Sequence, residues 1–368
     1  MLLTAIFGGA VWALYFREAL AKSSSSHSIA QSNAVYIIAV LAVGFITRVI
    51  CAVSYEGHPT DMACFSGWST RIFSDGLGNF YTSEGFHDYP PGYVYVMYIL
   101  GAVKSWLNLH DGGLWLWLKL PSIIADTVMG WLTYKLAKRK FSDAISATLA
   151  AFVVFNPAVI MDSAVWGQID SILALFCVLT VYCVAKRKFI PSFFWFAAGV
   201  LIKPQAAFFA PIIVFGLVDE LFIREKFSAQ KLIKYVLWAA AAIAAMLILF
   251  MPFGNNPFHG ISVIIDQYIS TLGEYEYMTI NAFNVYAAIG KNWTGLGAVS
   301  KVIGYGMMVV SVAAAAYVYF KSESPSKTYI SAFVIILCIF MFGIKMHERY
   351  AYPGIFMLAF ALAVLPTP

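Results

Sequence analysis

The stretch that decides the fold is LIKYVLWAAAAIAAMLILFMPF, residues 232–253. It carries no charged side chain after Lys234, and about 20 mainly apolar residues are what one membrane-spanning helix needs. The other clear candidates are equally apolar: 34–53, 114–135, 144–163, 296–319 and 329–346. Shorter candidates are 2–16, 171–185, 189–202, 205–218 and 353–366. Together they predict about 11 transmembrane helices in an all-α, polytopic integral membrane protein.

The composition of the whole chain agrees with this prediction. The 368 residues are 61% hydrophobic and 12% charged, with a mean hydropathy of +0.77. So few charges could not cover a soluble surface of this size, which excludes a soluble enzyme and a disordered chain. The five cysteines form neither a disulfide framework nor a zinc site, because their number is odd and their spacing fits no metal site. No metal site is expected.

The net charge of +5 indicates topology rather than a surface for nucleic acid, which is not an expected partner. Loops rich in Lys and Arg stay cytoplasmic. The basic residues cluster in five loops: Arg17 and Lys22; Lys135, Lys138, Arg139 and Lys140; Lys186, Arg187 and Lys188; Arg224, Lys226, Lys231 and Lys234; Lys321 and Lys327. Placing all five loops inside requires a single crossing between residues 54 and 135. Segment 114–135 is the better crossing, so 91–107 is expected to dip into the membrane or lie along it and return. The inner loops then hold 15 Lys and Arg, whereas the outer segments hold five.

The chain is predicted to form a single transmembrane domain over residues 1–368. Its parts are an extra N-terminal span at 2–16, a first outer loop at 54–113 and a long outer loop at 254–295. The N-terminal span could be mistaken for a signal peptide, but no basic residue precedes it, and Arg17 and Lys22 follow it.

Both outer loops contain an amphipathic stretch. Residues 61–73 and 259–272 each place apolar side chains on one helical face, which suits helices lying on the outer membrane surface. We see no strand periodicity and no internal repeat.

Two polar motifs lie in the first outer loop. In Gly57-His58-Pro59-Thr60-Asp61 the Asp61 carboxylate could act as a general base, or Asp61 could be the N-cap of the helix after it. In Asp88-Tyr89-Pro90-Pro91 the prolines would hold Asp88 and Tyr89 at the mouth of the dipping segment. Alternatively, this motif is only a helix start with Asp as the cap.

Three further motifs fall on the same predicted face: Trp166-Gly167-Gln168-Ile169-Asp170, Lys203-Pro204-Gln205 and His347-Glu348-Arg349-Tyr350. The first could be an ordinary short turn between two helices, with a Gly and a cap residue, but it has more hydrogen-bonding groups than such a connection needs. Lys203 opposes the inside bias of the basic residues, although a lone lysine could simply snorkel to the interface. The third could clamp an anion with its cations, or it could be a solvated loop.

Two ionisable residues, Lys119 and Asp126, lie within a predicted span. Charges inside a membrane are costly, so pairing with each other or with Arg48 is expected, and we interpret them as structural.

Carboxylates beside cations next to lipid could be ion pairs and nothing more. They also suit transfer of a group from a lipid-linked phosphate donor to a hydroxyl. A base would take the acceptor proton, a contribution of about 10²–10⁴-fold, while cations stabilise the departing phosphate.

The motifs GHPTD, DYPP, WGQID, LIKPQ, NAFN and MHERY, in this order, resemble the GT-C glycosyltransferases over about residues 34–353. The likeness is strongest to the prokaryotic mannosyltransferase group related to the second mannosyltransferase of GPI-anchor synthesis. It is more distant to the dolichyl-phosphate-glucose glucosyltransferases. Relatives can carry further helices, so the chain is either a short member or one whose C-terminus is incomplete.

The resemblance implies an inverting transferase that moves a hexose, mannose in that group, from a polyprenyl- or dolichyl-phosphate donor to a hydroxyl of a glycan, lipid or protein. The active site would face outward from the cell membrane of a prokaryote or the endoplasmic reticulum of a eukaryote. No cofactor or metal is implied.

By this resemblance, Asp61 matches the first-loop catalytic aspartate of the family and Asp88 its DYPP aspartate. His347 falls in the loop of the HE type near the donor phosphate. The complete set predicted to bind the donor and substrate is Asp88, Tyr89, Trp166, Gln168, Asp170, Lys203, Gln205, His347, Glu348 and Arg349.

Two other functions compete with this one. A secondary transporter or lipid flippase would place ionisable groups near the membrane midplane and would show paired, broken helices in two halves. Only Lys119 and Asp126 fit the first expectation, and no internal repeat is visible. A non-catalytic assembly subunit would not need so many polar motifs on one face.

Overall fold

The computed structural model describes residues 35–82, 86–109 and 115–365. The predicted N-terminal span at 2–16, with Arg17 and Lys22 after it, lies outside the described residues. The described residues are mostly helical, and one large apolar core runs through the bundle that they form.

The helices of the described ranges are numbered in chain order. They are α1 Val35–Ser54, α2 Pro59–Asp75, α3 Pro91–Trp106, α4 Leu116–Ala137, α5 Asp143–Val154, α6 Pro157–Ile160, α7 Asp170–Ala185, α8 Phe189–Ile202, α9 Ala210–Val218, α10 Ala229–Phe250, α11 Pro257–Gly273, α12 Val285–Ala288, α13 Ala298–Lys321, α14 Lys327–Phe342 and α15 Tyr352–Val364. The same ranges contain two short strands, β1 Thr279–Ile280 and β2 Met346–His347.

Within residues 35–365, as far as they are described, four helical segments are long and apolar enough to cross a membrane: Val35–Ser54, Pro204–Arg224, Ala229–Phe253 and Ala298–Lys321. A fifth is added if the bent pair Asp143–Val154 and Pro157–Trp166 is one span. The helices found at four other predicted spans are α7, α8, α14 and α15, with 13 to 16 residues each. This confirms an all-α protein of membrane character, while the count of about 11 spans remains a prediction.

The bend of 47° between α5 and α6 has a local cause. Pro157 cannot continue the helix before it, and the Asn156 side chain caps the new start by accepting a hydrogen bond from the N–H of Ala158, at 3.0 Å. From Met161 to Trp166 the helix widens into a π-helical turn and ends at Gly167, whose φ is +92°. The helix therefore extends beyond the predicted boundary at residue 163 and carries Trp166 at its tip.

The two predicted amphipathic stretches are helices, α2 and α11, each slightly longer than predicted. α2 packs along α3, and the segment 91–107 predicted to dip is the helix α3 itself. Whether α3 dips into the membrane, and whether α2 and α11 lie on its surface, remain predictions.

Strand pairing in the described part of the chain is limited to two short strands and a few isolated bridges. β1 pairs with β2 in parallel, with Thr279 opposite Met346 and Ile280 opposite His347. Strands of two residues are too short for any alternation of side chains to show in the sequence. Their pairing ties the long loop before α13 to the loop between α14 and α15.

The buried charges Arg48 and Asp126 form an ion pair, with Arg48 Nε 2.9 Å from Asp126 Oδ2. Pairing of Asp126 with Arg48 is thus confirmed. Lys119 does not pair with Asp126; its ammonium donates to backbone carbonyls, the shortest bond being 2.7 Å to Tyr55 O. The five cysteines are free.

Candidate active site

The Asp61 carboxylate lies in the first turn of α2, beside the end of the π-helical turn that follows α6. Trp166 Nε1 and Gln168 Nε2 both donate to Asp61 Oδ2 at 2.6 Å. His58 Nδ1 lies 3.3 Å from the same oxygen. Neither hydrogen bond uses Oδ1, and the Asp61 side chain is 27% exposed. The carboxylate is thus held in one orientation and stays accessible.

Asp61 is not the N-cap of α2, so that alternative is wrong. The helix begins three residues earlier than that role requires, with Pro59 in its first turn and His58 as the N-cap residue. Proline is suited to the first helical position because it has no N–H to satisfy there. Asp61 lies inside the first turn, and its side chain points toward Trp166 and Gln168.

The loop around Trp166 docks on the loop before α2 through backbone and ring contacts. The His58 N–H donates to Trp166 O at 2.9 Å, and the rings of His58 and Trp166 stack with their centroids 5.0 Å apart. Gly57 makes this approach possible, because a Cβ there would lie 2.7 Å from Trp166 O. His58 and Gly57 were not predicted site residues; their place in the GHPTD motif was the only signal for them.

Gln168 joins Asp61 to the cations. Its side-chain amide is buried, donates to Asp61 through Nε2, and accepts from Tyr89 Oη at 3.3 Å and from Lys203 Nζ at 3.5 Å through Oε1. One amide therefore spans the distance between the carboxylate and the ammonium.

Lys203 and Arg349 both rest on Asp170, which is 3% exposed. Lys203 Nζ lies 2.8 Å from Asp170 Oδ1, and Arg349 Nε lies 3.3 Å from Asp170 Oδ2, the latter without hydrogen-bond alignment. Lys203 also lies over the ring of Tyr89 at 5.5 Å, and the Arg349 guanidinium over the ring of Trp166 at 5.2 Å. A lone snorkelling lysine is thereby excluded, since Lys203 is 6% exposed.

The loop after β2 is not simply solvated. Glu348 Oε1 accepts from Arg349 at 2.8 Å. Burial lowers the pKa of Arg349, but Asp170, Tyr89 and Glu348 outweigh it and raise that pKa above its ordinary value. Arg349 is thus held as a permanent cation.

His347 is not the cation that the sequence suggested. Burial first, and then the charges of Arg349 and Lys203, lower its pKa to about 4. At neutral pH the imidazole is therefore uncharged and can act only as a neutral hydrogen-bonding group. Its ring packs against Tyr275 and Tyr350, with centroids 5.2 and 5.0 Å apart.

Asp88 is not a helix cap either, since Pro90 is the N-cap residue of α3 and Pro91 its first residue. Its Oδ1 is buried and finds no hydrogen-bond partner among the described residues. Burial and the charge of Glu274 raise the pKa of Asp88 to about 6, against the opposing effect of Lys203. Glu274, at the end of α11, was not a predicted site residue.

Gln205 lies in the 3₁₀ turn after Lys203, against the hydroxyl of Tyr350. The structure thus brings all the predicted residues to one region, although they come from five separate segments of the chain. Within the part of the chain that the structure describes, no three His, Cys, Asp or Glu side chains are placed to hold a metal ion.

A family model described as Glycosyltransferase family 87 matches residues 86–343, more than half of the chain. The match includes Asp88, Gln168, Asp170 and Lys203, but it begins after Asp61 and ends before His347. No curated protein matches the chain.

Proposed function

The chain belongs to glycosyltransferase family 87, and from this premise we propose that it transfers a hexose from a lipid-phosphate donor to a hydroxyl acceptor. The proposed hexose is mannose, the proposed donor is a polyprenyl or dolichyl phosphate, and the proposed site of transfer is the outer membrane face. The proposal includes inversion at the anomeric carbon and a multi-pass topology. The observation that carries it is the Gln168 amide, which connects the oriented Asp61 carboxylate to the Lys203 ammonium.

The proposed reaction is a single displacement. Asp61 takes the proton of the acceptor hydroxyl, whose oxygen bonds to the anomeric carbon of the donor as the bond from that carbon to the phosphate oxygen breaks. The lipid phosphate leaves with the bonding electron pair. Attack on one face of the sugar with departure of the phosphate from the opposite face gives inversion.

Lys203 and Arg349 are proposed to hold the phosphate. The donor phosphodiester carries one negative charge, and the departing phosphate monoester carries more, so fixed cations stabilise the transition state more than the bound donor. His347, uncharged at neutral pH, would add a neutral hydrogen bond to the donor. Asp88, Tyr89, Trp166, Gln205 and Glu348 are proposed to shape the donor pocket around these groups.

The family match favours a transferase over the transporter or flippase. The charged pair inside the bundle, Arg48 and Asp126, is neutralised and hydrogen-bonded, so it offers no site for a travelling ion. A flippase would move the lipid donor across a vesicle without forming a covalent product.

The test uses full-length protein in proteoliposomes, supplied with polyprenyl-phosphate-[³H]mannose and a panel of octyl glycosides. We expect labelled octyl disaccharide of inverted anomeric configuration, and a loss of about 10²-fold or more with Asp61→Asn. Asp75→Asn is the matched control, because Asp75 is an exposed carboxylate on the same helix. Full transfer activity in Asp61→Asn would show that Asp61 is not the base. Movement of the donor across the vesicle membrane without any transfer product would favour the flippase.

A further inference from the structure

Tyr275 is an aromatic residue that has no part in the mechanism described above. It directly follows Glu274, the C-cap residue of α11, in a left-handed backbone conformation with φ at +53°. Such a φ is strained for a residue with a large side chain, and strain of this kind is concentrated at ligand-binding sites. The Tyr275 ring packs nearly perpendicular to the ring of His347, with centroids 5.2 Å apart, and the residue is 40% exposed. It therefore contacts the loop that carries Arg349 and keeps part of its surface exposed.

The turn that carries Tyr275 is tied down on both sides. Before it, Gln267 Nε2 donates to His87 O at 2.7 Å and so joins α11 to the residue that precedes the DYPP motif. After it, Glu276 Oε1 forms an ion pair with Lys301 Nζ at 3.0 Å. The position of Tyr275 is therefore set by contacts on either side of it.

The charges that act on Tyr275 show that it lies near both ends of the proposed site. Burial is the main cause that raises the pKa of its hydroxyl, and three carboxylates raise it further: Asp88, Glu274 and Asp61. The charge of Arg349 opposes them. The hydroxyl is thus within electrostatic reach of the proposed base and of one proposed phosphate-binding cation. A transferred hexose must lie between those two groups, because it is attacked from the side of the base and attached to the phosphate.

Two carboxylate oxygens near Tyr275 are buried and accept no hydrogen bond from any residue that the structure describes: Asp88 Oδ1 and Glu274 Oε2. The two side chains are close enough that the charge of Glu274, after burial, raises the pKa of Asp88. A buried acceptor without a donor is costly, and an ionised carboxylate can only accept. Hydrogen-bond donors of a ligand would satisfy both oxygens.

A hexose supplies both kinds of contact that these side chains offer. Its hydroxyl groups donate to carboxylates, and such charge-assisted hydrogen bonds are about twice as strong as neutral ones. Its ring carbons carry hydrogens, which the negative face of an aromatic ring attracts. A phosphate group would supply neither contact, because it is an anion without donors and the two carboxylates would repel it. A lipid tail would leave both oxygens without a donor.

We propose that Tyr275, Asp88 and Glu274 form the subsite for the hexose of the donor, with the sugar stacked on the Tyr275 ring and its hydroxyls bonded to the two carboxylates. The inference rests on the proposed function, since the hexose enters this space attached to the phosphate that Lys203 and Arg349 hold. It assigns recognition of the sugar to residues other than those that hold the phosphate.

The first test measures binding and needs no transfer. Mannosyl farnesyl phosphate is compared with methyl farnesyl phosphate, which carries the same phosphodiester charge but a methyl group in place of the sugar, by thermal shift of the full-length protein in detergent. We expect the mannosyl lipid to bind about tenfold more tightly, the effect of one or two hydrogen bonds. Tyr275→Gly, which suits the left-handed backbone, should bring the two dissociation constants close together and leave binding of the methyl lipid unchanged.

Trp293→Gly is the matched control for this test. Trp293 is also an exposed aromatic residue of the same loop with a left-handed φ, +56°, and its ring packs against Tyr277. The variant should keep the preference for the mannosyl lipid.

The second test identifies the bonded hydroxyl by transfer in proteoliposomes, with donors that each lack one hydroxyl of mannose. We expect one of these deoxy donors to lose about 10- to 100-fold in kcat/KM with the unmodified protein, and Glu274→Ala to lose a similar factor with the complete donor. Because the two changes remove the same bond, their losses should not add. Glu276→Ala is the control, since Glu276 is a carboxylate two residues on that pairs with Lys301, and it should leave kcat/KM unchanged for every donor.

Equal binding of the two lipids by the unmodified protein, or a preference that survives Tyr275→Gly, would overturn the hexose subsite. An equal loss of both lipids in Tyr275→Gly would overturn it in favour of a phosphate site, and a raised KM for the acceptor alone would overturn it in favour of an acceptor platform. Additive losses would show that Glu274 does not bond the missing hydroxyl. Transfer by the unmodified protein would leave the proposed function standing in all these cases. Selective binding of the mannosyl lipid without any transfer would overturn the proposed function and keep the subsite.

Discussion

Asp170 holds two cations in a position where the donor phosphate would need them, and this makes Asp170→Asn the most informative change. The carboxylate contacts Lys203 at 2.8 Å and Arg349 at 3.3 Å, and it is almost completely buried. At an effective dielectric constant of about 20, a pair 2.8 Å apart attracts by about 6 kcal/mol before desolvation is counted. Losing one partner of a buried pair costs about 3–5 kcal/mol in measured cases.

We therefore expect Asp170→Asn to lower the stability of the free protein by about 3 kcal/mol. A polyprenyl phosphate should restore much of that loss, because its charge replaces the missing carboxylate between Lys203 and Arg349. The variant should bind the lipid phosphate more tightly than the unmodified protein, and the rise in Tm with ligand should be larger. Turnover should nevertheless fall, because tighter binding of the leaving group slows its release.

The assay is thermal unfolding of detergent-solubilised protein across a titration of farnesyl phosphate. Asp219→Asn is the matched control, since Asp219 is also buried and also contacts two cations, Arg224 at 2.7 Å and Lys327 at 3.5 Å. It should lose stability without any gain in ligand response. If Asp170→Asn binds farnesyl phosphate less tightly than the unmodified protein, Asp170 does not compete with phosphate and the role given to the two cations is wrong.

Three further changes test the surroundings of this cluster. Trp166→Phe keeps an aromatic ring beside His58 but removes the N–H that donates to Asp61. In the transfer assay kcat should therefore fall by about 10- to 100-fold, with little change in donor KM. The control Trp195→Phe, at a ring stacked on Phe176, should leave both unchanged. Asp88→Asn should stabilise the protein by up to about 3 kcal/mol at pH 7.5. The pKa of Asp88 is raised from 3.8 to about 6 in the folded protein, so protonated Asp88 stabilises the fold below pH 3.8, and this contribution is lost as the pH rises through 6. The stability difference, measured by urea unfolding, should therefore shrink as the pH falls toward 4, and a constant difference would contradict the raised pKa. Gly57→Ala, with φ at +100° and its added Cβ 2.7 Å from Trp166 O, should lower both Tm and kcat, whereas Gly76→Ala, with φ at +80° and open space around it, should lower Tm only.

The helices could be predicted from the sequence because each depends on a local pattern. α8 has the predicted bounds of 189–202, and α2 and α11 differ from theirs by two residues or fewer at each end. Long apolar runs and amphipathic faces are properties of neighbouring residues, so no knowledge of the fold was needed. The site residues came from the same kind of signal, polar side chains where an apolar chain did not require them.

The chemistry of individual site residues could not be predicted, because it depends on contacts across the fold. Asp61 could have been a cap until the structure placed Trp166 and Gln168, more than 100 positions away, on its Oδ2. His347 could have been a cation until the structure showed that burial, together with the charges of Arg349 and Lys203, lowers its pKa to about 4. A sequence shows which groups exist, but the sign of a pKa shift depends on which of them become neighbours.

The buried network around Asp126 explains how such distant segments keep one geometry. Asp126 accepts from Arg48 at 2.9 Å, from Ser163 Oγ at 2.6 Å and from Tyr352 Oη at 3.1 Å. Ser163 lies in the π-helical turn that carries Trp166, and Tyr352 is the first residue of α15, three positions after Arg349. A buried ion pair contributes little net stability by itself, but a hydrogen-bonded network around it favours one arrangement over others because unpaired alternatives are costly. The residues that looked merely structural in the sequence thus fix the relative positions of the loops that carry Trp166 and Arg349, and with them the distance between the proposed base and the proposed phosphate-binding cations.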